Sequence, residues 1–123
     1  MAGPTSKSAW TGFERFVAAA WGTTRNPLSG ANNRQGNGKP RPGDIILDGL
    51  DVLVECKYRA SQAHHPLFRA VQKDAEKHGL NPLHCFLYTK VKREQGALVV
   101  MDAETFHRYC LPVLKPLLIA SQA

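Results

Sequence analysis

The sequence predicts one mixed domain, α/β or α+β, with a central mixed β-sheet flanked by helices. Three observations lead there. The 123 residues suit a single domain with one modest core. Hydrophobic residues make up 43% of the chain, enough to drive folding. Helical and strand periodicities alternate along it in the order helix, β-hairpin, helix, strand, strand, helix.

The elements follow in chain order. Residues 1–7 are small and polar and read as a frayed end. From Ser8 to Trp21, Trp10, Phe13, Val17, Ala20 and Trp21 recur at helical spacing, and Gly22 is a stop. Residues 22–43 read as a long, mobile, glycine-rich loop. It carries Arg25, Arg34, Lys39 and Arg41 and no acidic residue. "GDIILDGLDVLVECKYR", residues 43–59, reads as a hairpin turning at Asp48-Gly49. Residues 66–78 form a second helix pattern, with Pro66 in its first turn and Gly79 as its stop. "PLHCFLYTK" reads as a buried strand, "KREQG" as a charged turn and "ALVVM" as another strand. "DAETFHRYC" reads as a short helix with Asp102 as its N-cap.

The hairpin raises the chemical question, because Asp44, Glu55 and Lys57 interrupt apolar strands. With the turn at Asp48-Gly49, Ile45 faces Val52 and Asp44 faces Leu53. One face then carries Ile45, Leu47, Val52, Val54 and Cys56. The other carries Asp44, Leu53, Glu55 and Lys57. Asp44 and Glu55 become diagonal neighbours, roughly 7–8 Å apart at Cα. Two carboxylates so placed can converge on one hard cation, at about 2.1 Å per bond for magnesium. Lys57 lies beside them, where it can orient water or stabilise charge on a phosphate. A solvated outer face is the alternative. Glu14 adds weight to the first reading. It falls on the apolar face of the first helix, where an unpaired carboxylate is costly and a metal site would give it a partner. A capping box with Thr11 is the alternative.

"FER" on the first helix, "TRNPLSG" in the next loop, then Asp44 and "ECK" in the following strand form an ordered set. It resembles the PD-(D/E)XK nucleases, and more narrowly the archaeal-type Holliday junction resolvases and their phage relatives. The match spans Lys7 to Arg59. The resemblance implies a restriction-endonuclease-like core and a Mg2+-dependent endonuclease, with Mn2+ as a substitute. It implies Asp44 and Glu55 as metal ligands, the Cys56 carbonyl as a third, and Glu14 at the edge of the site, direct or through water. Lys57 would be the catalytic lysine, Ser29 would position the scissile phosphate, and Arg25 would contact the DNA backbone. The family further implies a symmetric homodimer that nicks opposed strands of a four-way junction to leave 5′-phosphates. A nicking or restriction-type nuclease of the same core would share these residues, and so would a non-catalytic DNA-binding module that kept the fold.

Bulk properties agree with a nucleic-acid partner, with simple solubility as the alternative reading of the charge. Sixteen Lys and Arg against ten Asp and Glu give a formal charge of +6, so Arg34, Lys39 and Arg41 join Arg25 and Ser29 as expected DNA contacts. Cys56, Cys85 and Cys110 make no CxxC pair, which disfavours a zinc ribbon, and their odd number disfavours a secreted disulfide scaffold. With no apolar leader, the reading is cytoplasmic. His64-His65, Trp10, Trp21, Gln72, Lys73 and Lys77 read as surface or core residues. Val113, Leu114, Leu117, Leu118 and Ile119 would cover the protomer's own sheet or form a self-complementary patch.

Overall fold

The computed structural model describes residues 7–26, 42–59 and 63–122. Ser29, Arg34, Lys39, Arg41 and most of the glycine-rich loop lie outside the described residues, as do residues 1–6. The fold is mixed α+β: a three-stranded mixed sheet flanked by helices.

Helix α1, Lys7–Ala20, opens the chain and buries Phe13, Val17 and Ala18. Strand β1, Leu53–Arg59, leads into helix α2, His64–Lys77. Strand β2, Cys85–Val91, runs parallel to β1 in the register Leu53 to Cys85 through Arg59 to Val91. Strand β3, Leu98–Val100, pairs antiparallel with β2. The sheet order is β1-β2-β3.

Strand alternation divides β1 between two cores. Val54 and Cys56 pack with Ile45 against Phe13, Val17 and Ala18 of α1. Leu53 packs with Cys85 and Leu87 against Phe68, Val71 and Ala75 of α2. The strand is covered on both faces at its start, where Leu53, Val54 and Cys56 are buried, and opens toward Lys57, Tyr58 and Arg59, where the burial falls away. The expected apolar face of Ile45, Leu47, Val52, Val54 and Cys56 is present as one cluster.

The expected hairpin is not. The Asp48-Gly49 turn forms, with Leu50 N–H donating to the Leu47 carbonyl at 3.1 Å and Gly49 at φ 85°. No ladder grows from it. Residues 44–46 pair instead with residues 24–26: Asn26 N–H donates to Asp44 O at 2.8 Å, and Ile46 N–H to Thr24 O at 3.0 Å. The register therefore differs, and Asp44 N–H donates to the Val54 carbonyl at 3.0 Å rather than facing Leu53. The physical reason is competition. The stretch after α1 supplies extended backbone partners that two residues of tight turn leave unused.

The C-terminal third also departs from expectation. Helix α3, Ala103–Thr105, has Asp102 as its N-cap, accepting from Glu104 N–H at 2.9 Å. A π-helical segment, Phe106–Cys110, continues it into helix α4, Leu111–Ser121. None of the residues of α4 is buried, and Val113, Leu117, Leu118 and Ile119 are exposed. This segment does not cover the protomer's own sheet. It is tethered at its start, by His84 Nε2 and the Tyr109 hydroxyl at 2.8 Å and by the Arg69–Asp102 pair at 3.3 Å. No helix among the described residues is long and apolar enough to cross a membrane.

Candidate active site

The site is assembled at the long edge of β1 away from β2. Leu53 N–H donates across to His84 O, so odd-numbered residues of β1 turn their backbone groups toward β2. Val54 and Cys56 turn theirs the other way, toward Asp44. Asp44 grips this edge at two points. Its N–H donates to Val54 O at 3.0 Å, and its Oδ2 accepts from Cys56 N–H at 2.6 Å. Alternation sends the Cys56 carbonyl to the same edge.

Gly43 permits the approach. It holds φ 87°, a region that favours glycine, and a Cβ there would meet Val54 O at 3.0 Å and Leu53 Cδ1 at 3.1 Å. Asn26 closes the other side, donating from Nδ2 to Gly43 O at 3.1 Å. The Asp44 carboxylate is thus fixed by backbone geometry as well as by its own rotamer, and it is 8% exposed.

Asp44 meets carboxyl groups from two directions. Both Glu14 and Glu55 are in hydrogen-bonding contact with it. Glu14 reaches it from α1, only 4% exposed, with its Oε1 accepting from Arg25 Nε at 3.1 Å. Burial, then the Asp44 charge, raises the Glu14 carboxyl, and Arg25 draws it back. The α1 helix already runs at Thr11, so no capping box forms there. Glu55 lies on the α2 side of the strand. Its pKa is pushed up to about 9, first by burial and then by the charge and hydrogen bond of Asp44, with Lys57 opposing. At neutral pH Glu55 keeps its proton.

Burial, followed by the charges of Asp44, Glu14 and Glu55, pushes the Cys56 thiol far above its ordinary range. It is a core thiol and not a nucleophile.

Glu55 and Lys57 open into a cleft of about 330 Å³ between β1 and α2. Leu67, Ala70 and Val71 form its far wall, with Asp74 opposite Glu55 and Arg59 at the strand end. Sequence reasoning missed Asp74 and Arg59. Both were legible in spacing: Arg59 continues the alternation of Glu55 and Lys57, and Asp74 continues the stripe of 67, 70 and 71 at i+7.

The structure therefore brings together Glu14, Asp44, Glu55, Cys56 and Lys57 from the expected set. Arg25 is turned to Glu14 and holds the carboxyl cluster. His64 and His65 begin α2 and are not part of this cluster. Among the described residues no group of three or more His, Cys, Asp or Glu is arranged to hold a metal ion. No family model, curated protein or solved structure matches the chain.

Proposed function

We propose that the chain is a metal-dependent, structure-selective DNA endonuclease with a restriction-endonuclease-like core. We further propose that it acts as a Holliday junction resolvase, as a homodimer placing two sites on opposed strands. The observation that carries the reading is the clamped Asp44. A carboxylate is held at 2.6 Å by the Cys56 N–H, in contact with Glu55, beside a lysine that opens into the same cleft.

The donor chemistry suits a magnesium ion. Such a site takes one or two protein carboxylates, with water and substrate phosphate completing it. Asp44 and Glu55 would hold the ion, with the Cys56 carbonyl as a third oxygen. The contact between Asp44 and Glu55 supports this fit, because two carboxyl groups side by side share a cation readily. When bound, the ion would polarise the scissile phosphate and lower the pKa of attacking water.

The chain's own groups do the rest. The Cys56 N–H pre-orients Asp44, so little rearrangement accompanies binding. Glu55 would release its proton to solvent when it held the ion, and would then supply a carboxylate oxygen. Lys57 donates to a phosphate oxygen or orients the attacking water. Arg25 and Glu14 lock the rear of Asp44. The basic residues Arg34, Lys39 and Arg41, with Ser29, would carry the flanking backbone contacts.

The test is cleavage of an end-labelled four-way junction against a matched linear duplex in Mg2+. Paired symmetric nicks confined to the junction support resolution. Equal cutting of both reduces the reading to a nickase of the same core, and no cutting with intact binding leaves a DNA-binding module.

A further inference from the structure

We propose that the cleft between β1 and α2 is a track for a single nucleic-acid strand, in which Arg59 holds the phosphate next to the one cleaved. The proposal rests on the nuclease reading and names the next subsite of that site.

Three observations carry it. The first is the row of side chains on β1. Glu55, Lys57 and Arg59 all line the same cleft, each two residues from the last. The strand rise separates successive members by about 6.6 Å. That matches the distance between neighbouring phosphates along one extended strand. With a phosphate at Glu55 and Lys57, the next falls at Arg59.

The second is the state of Arg59. It is exposed, and its side chain forms no ion pair among the described residues. Its backbone is held, since its carbonyl accepts from Lys92 N–H at 2.8 Å and it pairs with Val91. A guanidinium on fixed backbone, lining a cleft and with no ion-pair partner among the described residues, is suited to forked contact with a phosphate.

The third is the opposite wall. Leu67, Ala70 and Val71 present no donor or acceptor from their side chains, and Asp74 faces the Glu55 end. The cleft therefore has carboxyl groups at one end, of which Asp74 supplies the charge while Glu55 is protonated, and a cation at the other. A simple anion would be repelled at the acidic end. A phosphodiester chain with a divalent cation under one phosphate satisfies both ends. At about 330 Å³ the space is too small to admit a duplex.

The test uses the full chain, with Arg59→Ala and Arg59→Lys, and junctions carrying one methylphosphonate at either neighbour of the scissile phosphate or several phosphates away. Arg59→Ala should lower kcat/KM by about 10- to 100-fold. In Ca2+, without turnover, it should reduce the salt slope of binding by about 0.7 to 0.9. Arg59→Lys should recover the slope and only part of the rate, since it keeps the charge and loses the fork. One neighbouring methylphosphonate should cost the wild type a similar factor and cost Arg59→Ala almost nothing more. An unchanged salt slope, or losses that multiply at every position, would overturn the subsite. A wild-type protein that fails to cut any strand in Mg2+ overturns the nuclease reading itself, before any Arg59 variant is made.

Discussion

Replacing Glu55 with glutamine should stabilise the metal-free protein above neutral pH, and the size of the effect follows from the site. Glu55 has an ordinary value of 4.5 and is pushed up to about 9 by burial and Asp44. In the unfolded chain it ionises near 4.5. Between those limits the folded chain carries a proton that the unfolded chain has released. Stability from this group is therefore complete below about pH 4.5 and is lost as pH rises toward 9. The slope is about 1.4 kcal/mol per pH unit, so moving from pH 5.5 to 7.5 costs about 3 kcal/mol. At about 4 °C per kcal/mol for a domain this size, that is a fall of about 10 °C in Tm. Glutamine cannot ionise and can donate to Asp44, so Glu55→Gln should remove most of this slope. The assay is urea denaturation of both proteins in EDTA from pH 5 to 8.5. The difference between the two curves isolates Glu55 from every other titrating group. In millimolar Mg2+ the wild type should regain stability at pH 7.5 and the variant should not. Curves that stay parallel across the range, with or without Mg2+, would refute the coupling of Glu55 to Asp44.

Other outcomes follow from the same geometry. Gly43→Ala should cost about 2 kcal/mol or more and abolish cleavage, because the added Cβ meets the Val54 carbonyl at 3.0 Å and displaces Asp44; thermal unfolding and a junction assay read both. Binding should weaken steeply with salt, and Arg34→Ala and Arg41→Ala should each flatten the slope by about 0.9; a salt-independent affinity would contradict a phosphate-dominated contact. The protein should be a dimer at micromolar concentration, and Leu117→Asp should shift sedimentation toward the monomer, since exposed α4 is apolar and uncovered by its own sheet.

The sequence was most legible where periodicity is local. Ile45, Leu47, Val52, Val54 and Cys56 fell on one face by simple alternation, and α1 and α2 lie within two residues of their expected bounds. Asp44, Glu55 and Lys57 could be selected as a set because charges inside apolar strands need a reason. What could not be read was the partner of residues 44–46. Thr24, Arg25 and Asn26 have no strand pattern, and their bridge to residues 44–46 is a contact across about twenty residues that local periodicity does not encode. The hairpin register therefore placed Asp44 opposite Leu53, one residue from its position beside Val54. Arg25 was legible as a basic residue but not as the partner of Glu14, which depends on the same pairing. The π-helical turn at Phe106–Cys110 left no signature, because it differs from an α-helix only in backbone hydrogen bonding.

The most direct measurement is cleavage of a 5′-labelled four-way junction by wild type and Asp44→Asn, in Mg2+, Ca2+ and EDTA, with binding measured alongside. The wild type should leave 5′-phosphate nicks in Mg2+ or Mn2+, bind without turnover in Ca2+, and not cleave in EDTA. Asp44→Asn should bind the junction as well as wild type or better and fail to cut it, because the clamp to Cys56 survives while the charge is gone. Cutting by Asp44→Asn at near wild-type rate, or full wild-type activity in EDTA, would contradict the metal-dependent reading.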